Sequence, residues 1–121
     1  IYKANEDFLM RMTFRVARMI ILRELKEDKE YARRLVTQIL ERLGTRENIK
    51  IFVGQEVYSA AEQLKADLAQ KLGQLNNISV ELDPEYQNGC RVETDFGEVD
   101  AKIEVQIQNI AKTLGASEDG K

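Results

Sequence analysis

Twenty-one carboxylates, eighteen lysines and arginines, one thiol at Cys90 and no imidazole are what this 121-residue chain offers to chemistry. Without histidine, neither a Ser/His nor a Cys/His relay can be assembled, and a zinc site has at most one thiolate to draw on. The phosphate cradles G-x-x-x-x-G-K-[ST] and G-x-G-x-x-G are absent from the sequence. Carboxylates remain, and to act as acid and base they must be tuned by burial in a cleft. Seven of them (Glu81, Asp83, Glu85, Glu93, Asp95, Glu98, Asp100) crowd residues 81–100 against the single base Arg91. Asp83 to Gly89 does not supply the alternating acids, sixth glycine and twelfth glutamate of a calcium loop. The pattern predicts no catalytic, cofactor-binding or metal residue. The acidic stretch reads either as a solvated sheet edge or, functionally, as an acidic docking surface for a basic partner segment, and a small carboxylate-based hydrolase is the remote alternative.

Those carboxylates need elements to hold them. Residues 5–26 carry a helical pattern without Gly or Pro, and it has two apolar stripes. Phe8, Met12, Val16, Met19 and Ile20, with Leu9 beside them, form the first. Met10, Phe14, Ala17, Ile21 and Leu25 form the second, with Arg11, Arg15 and Arg18 on a strip between the two. A helix on a monomer's surface needs one stripe; two predict that it is gripped from both sides. We read the second as a dimer seam continuing a coiled coil, with burial in a three-helix core as the competing reading. Since the pattern is already running near Ile1, the chain reads as a fragment of a longer protein.

A second helix gathers Ala32, Leu35, Val36, Ile39, Leu40 and Leu43 on one face and stops at Gly44. Residues 49–53 read as a strand, and residues 56–72 as a helix aligned on Val57, Ala61, Leu64, Leu68 and Leu72. Ser59 and Glu62 have capping-box spacing, which predicts a start one turn later. Ile78, Val80 and Leu82 alternate along the next strand. After a turn over 83–89, the last strand points Cys90, Val92, Thr94 and Phe96 inward and Arg91, Glu93 and Asp95 outward. Asp100 is the expected N-cap of a final helix with the stripe Ile103, Ile107, Ile110 and Leu114.

The predicted fold is α/β in the order α-α-β-α-β-β-α, a small three-stranded mixed sheet with helices packed on it behind a long N-terminal helix. The first two strands, joined through a helix, are expected to run parallel and the third antiparallel to the second. Residues 1–26 are assigned to the dimerising helix, 27–114 to a globular domain, and 115–121 to a disordered tail. A lone cysteine, read as a small core hydrophobe, fits a reducing, cytoplasmic setting. A net charge of −3 argues against nucleic acid, and no apolar run approaches a membrane span.

Residues 89–107, Gly-Cys-Arg-Val-Glu-Thr-Asp-Phe-Gly-Glu-Val-Asp-Ala-Lys-Ile-Glu-Val-Gln-Ile, carry an identity. They resemble the C-terminal signature of the FliH family: a Gly-Gly-Cys opening, Val-Glu-Ser/Thr, Phe/Leu-Gly and Val/Ile-Asp-Ala-Ser before a Leu-rich helix. Asn88 replaces the first glycine and Lys102 the serine. Virulence type III secretion stators and, more distantly, the peripheral-stalk E subunit of rotary ATPases are related alternatives. The resemblance implies a non-catalytic homodimer that binds the N-terminal region of the flagellar export ATPase and restrains its hydrolysis. It also implies tethering to rotor-ring and export-gate proteins through an N-terminal region absent here. Glu98, Asp100 and Val105 are the expected border of the ATPase site.

Overall fold

The computed structural model describes residues 2–28 and 30–113. These form two compact units, one made of residues 2–27 and 103–113 and the other of 28 and 30–102. Leu114 and the tail expected at 115–121 lie outside the described residues.

In the first unit, α1 (Tyr2–Glu27) runs unbroken, as a stretch without Gly or Pro predicts. Phe14, Ala17, Leu22 and Leu25 are half-buried, whereas Phe8, Leu9, Met12, Val16, Met19 and Ile20 are all exposed. The stripe read as a seam is thus the more covered of the two. In α5 (Ile103–Thr113), Ile103, Ile107 and Ala111 are buried at intervals of four. Ile110, expected on the buried stripe, is exposed, and Ala111 is buried instead. Arg18 and Glu104 pair across α1 and α5 at 3.7 Å.

The second unit is a sheet covered by helices on one face. α2 (Tyr31–Leu43) ends as predicted: Gly44 turns left-handed at φ 75° and donates its N–H to the Leu40 carbonyl at 3.2 Å. β1 (Glu47–Val53) follows. The helix expected over 56–72 is two pieces, α3 (Gln55–Ser59) and α4 (Ala61–Leu72), broken at Ala60. Ser59 does not open α4; its hydroxyl donates to the Glu56 carbonyl at 2.9 Å and closes α3 instead. β2 is Asn76–Leu82, β3 is Cys90–Thr94 and β4 is Gly97–Ala101.

The strand order is β2-β1-β3-β4, four strands where the sequence pattern gave three. β1 runs parallel to β2, as a helical crossover requires. β3 pairs antiparallel with β1 and with β4, so it does not lie beside β2. The connection explains this. A 3-10 turn at Pro84–Tyr86 carries the chain past the end of β1, where Asp83 donates its N–H to the Val53 carbonyl at 2.8 Å. Tyr86 is buried there. The fourth strand hides in a segment with two meanings. Val99 and Ala101 alternate with Glu98 and Asp100 at period two, while Asp100 also has a helix cap's chemistry. In the structure Asp100 stays in the strand and accepts the Lys102 N–H at 3.2 Å. Phe96 consequently leaves the core for the β3–β4 turn.

One face of the sheet is dry. Ile49, Ile51 and Val53 of β1, Val80 of β2, Cys90 and Val92 of β3 and Ala101 of β4 pack with Val36, Leu40, Leu64 and Leu68 from the helices. Gly89 is required by space: a Cβ there would stand 2.3 Å from the Ala101 carbonyl oxygen. Among the described residues the left-handed non-glycine positions are Asn48 and Asn77, so Asn88, at the place of the signature's first glycine, is not left-handed.

Two predictions follow from this packing. Gly89→Ala should destabilise by about 1–3 kcal/mol or more, because the added methyl meets backbone; an unchanged denaturant midpoint would contradict the close approach. Burial first, and then the Asp100 carboxylate, push the Cys90 thiol from an ordinary 9.0 up to about 12. The folded thiol keeps a proton that the unfolded chain releases, so this group lowers stability as pH rises above 9 toward 12. Alkylation of Cys90 by iodoacetamide at neutral pH should be at least about 100-fold slower in the native protein than in denaturant. Equal rates would place the thiol at the surface.

Candidate docking surface

The register of the sheet fixes what its open face presents. Two rows cross the strands: Ser79, Lys50, Glu93 and Glu98, then Glu81, Phe52, Arg91 and Asp100. β3 forces this arrangement. With Cys90 and Val92 in the core, period-two alternation sends Arg91 and Glu93 to the other side.

Arg91 is the centre of the face. Its guanidinium carbon lies 3.8 Å from the centroid of the Phe52 ring and 5.9 Å from that of Tyr86. It pairs with Glu93, with Glu98 at 3.4 Å and with Asp83 at 3.9 Å, and its side chain is 20% exposed. A stacked cation of this kind contributes about 0.5–2 kcal/mol, and each partly exposed ion pair about 1 kcal/mol at most. The pairs therefore orient the carboxylates more than they stabilise the fold.

Beside this centre, Lys102 pairs with Glu85 at 3.1 Å and lies 5.3 Å from the Tyr86 centroid. The hydrogen bond to Glu85 raises the Lys102 pKa above its usual value, which keeps the ammonium charged. Burial, followed by the Asp100 carboxylate, raises that of the Tyr86 phenol. Tyr86 is thus a neutral aromatic wall between two cations.

At the far end of the strands, the Asn77 amide donates to the Asn48 side-chain oxygen at 2.8 Å. The Asn48 amide donates in turn to the Asp95 carboxylate at 2.9 Å. Asn48 and Asn77 hold φ of 56° and 57°, values asparagine tolerates better than most residues. The β3–β4 turn ends this chain of contacts. Phe96 donates its N–H to the Thr94 hydroxyl and that hydroxyl donates to the Gly97 carbonyl, both at 3.1 Å.

The structure places Glu98 and Asp100, two of the three residues expected to border a partner site, on the open face of β4. Val105 belongs to α5 in the other unit and is half-buried. Sequence reasoning missed Phe52 and the asparagine chain, which enter through strand register, and Tyr86, which enters through the 3-10 turn. The alternation along β1 did put Phe52 opposite its apolar neighbours, and that was the available signal. Chemically, the face can grip a complementary surface by charge, aromatic contact and hydrogen bonds. Among the described residues no three His, Cys, Asp or Glu side chains are placed to hold a metal ion, and no helix is long and apolar enough to cross a membrane.

Comparison with known proteins agrees with the signature at residues 89–107. The family model described as "Flagellar assembly protein FliH" matches residues 1–110. The chain is 25% identical over 111 residues to a Borreliella burgdorferi protein named flagellar assembly protein FliH. It is 29% identical over 119 residues to a Bacillus subtilis protein named probable flagellar assembly protein FliH. The matches cover 91% and 97% of this chain but 36% and 56% of those relatives, so it spans roughly a third to a half of their length. With a family match along nearly its whole length and the signature's strands forming the sheet, this chain belongs to the FliH family of flagellar assembly proteins.

Proposed function

We propose that this chain is the ATPase-binding part of a cytoplasmic flagellar export stator, a homodimer that works by binding and makes or breaks no bond itself. Its partner on this reading is the N-terminal region of the flagellar export ATPase, whose hydrolysis it restrains. Contacts to rotor-ring and export-gate proteins fall to parts of the full-length protein beyond this chain. Family membership supports the flagellar setting. The observation that carries the docking role is the open sheet face, where Glu93, Glu98 and Asp100 are held in fixed positions around an Arg91 that is already partnered. Such a field attracts a basic segment and orients it. Glu98 and Asp100 remain the proposed border of the site on this face, and Val105, in the other unit, is kept as a separate proposed contact.

Binding of the purified chain to the cognate export ATPase, measured by calorimetry, tests this reading. Asp100 is a poor probe because it also accepts the Lys102 N–H. Glu98→Lys is expected to raise Kd at least about tenfold, or 1.4 kcal/mol, with little change in Tm. Wild-type affinity in that variant would move the site off this face.

The dimer is proposed to form through α1, where Met10, Phe14, Ala17, Ile21 and Leu25 are the candidate seam. Met10 and Ile21 are exposed, so charges at these two positions should leave the fold intact. Light scattering should report a monomer for Met10→Glu with Ile21→Glu, because an unpaired carboxylate in a closed seam costs several kcal/mol. A persistent dimer would exclude the seam; the exposed stripe of Phe8, Met12, Val16 and Met19 would then be the next surface to probe.

A further inference from the structure

Phe96 is the most exposed large apolar residue described, at 88%, and it stands at the tip of the β3–β4 hairpin. An isolated exposed phenyl on a loose loop means little. This one is held. Thr94 and Gly97 close a turn of only two residues, Asp95 and Phe96. The Thr94 hydroxyl takes the Phe96 N–H and binds the Gly97 carbonyl. Gly97 itself adopts φ 132°, a conformation that favours glycine. Asp95 is clamped by Asn48, and Asn48 by Asn77, so three elements of the sheet fix the tip. Both asparagines adopt the left-handed backbone at adjacent positions of paired strands to do so. Strained backbone gathered on a surface feature is a pointer to function. The acids around the tip are Glu93, Asp95 and Glu98, and the nearest base of the strand, Arg91, is engaged by Glu93 and Glu98.

We propose that Phe96 is a preformed anchor, inserting into an apolar socket rimmed by lysine or arginine on the protein that docks against the open sheet face. This deepens the docking reading above and rests on it, so the occupant is the export ATPase. A rigid aromatic with few torsions to freeze is the residue type that dominates binding energy, and a rim of opposite charge aligns it.

The test compares Phe96→Ser, Phe96→Leu and wild type for binding to the purified cognate ATPase, with Tm and sedimentation of each. Phe96→Ser is expected to raise Kd at least tenfold while Phe96→Leu stays within threefold, and neither should shift Tm or self-association. Asn48→Gly keeps the left-handed backbone but releases Asp95; it should weaken binding about threefold through lost pre-organisation. Unchanged affinity for Asn48→Gly would overturn the preformed character of the anchor. Unchanged affinity for Phe96→Ser, with wild type still binding, would overturn the anchor and leave the docking reading standing. Loss of self-association alone would assign the phenyl to a second copy of this chain and overturn the proposal. If the wild-type chain binds no ATPase, the docking reading and the anchor fall together.

Discussion

The alternation of β3 is the constraint on which the rest of this structure depends. A strand between two neighbours must commit each side chain to one face or the other. Cys90 and Val92 have no exposure and belong to the core shared with α2 and α4. Arg91 and Glu93 are thereby fixed on the opposite side, beside Phe52 of β1 and Asp100 and Glu98 of β4. A slip of one residue would bury a guanidinium and a carboxylate and expose a thiol and a valine. The register of the core and the composition of the open face are one choice, enforced from both sides.

A sheet with one dry face and one wet face has to manage its open side. Here the wet face carries no apolar run. Its aromatic residue in the rows, Phe52, is covered by the Arg91 guanidinium, and its carboxylates are drawn around the same group. Both edge strands bear outward charge, Glu81 on β2 and Glu98 with Asp100 on β4, which opposes pairing with another sheet. The most exposed large apolar side chains are the phenyl of Phe96 at the hairpin tip in one unit, and Met19 and Leu9 of α1 in the other.

Much of this was legible in the residues. The periodicity of α2, the glycine that stops it, and the alternation of β1 and β2 each name an element through local chemistry. The same held for the signature around Cys90, where composition identified a buried thiol and an outward arginine. Illegible parts share a cause, which is dependence on partners distant in sequence. β3 pairs with β1 because a 3-10 turn spans the sheet end, a fact no local pattern states. Residues 97–101 satisfy the patterns of both a strand and a helix start, and the free edge of β3 decides between them. Phe96 fits an inward alternation until β4 claims Gly97 and turns residues 95 and 96 into a loop. The residues proposed to border a partner site divide between the two units. Glu98 and Asp100 lie on the open face of β4, whereas Val105 lies half-buried on α5 in the other unit.

The central claim is that the open, Arg91-centred face of the sheet is where the partner protein docks. Hydrogen–deuterium exchange of this chain, free and with the cognate export ATPase, tests it most directly. The account predicts that binding slows exchange across residues 90–101, the β3–β4 hairpin, and leaves α2 and α4 on the covered side at their free rates. Protection confined to α2 and α4, with the hairpin exchanging as in the free chain, would contradict it.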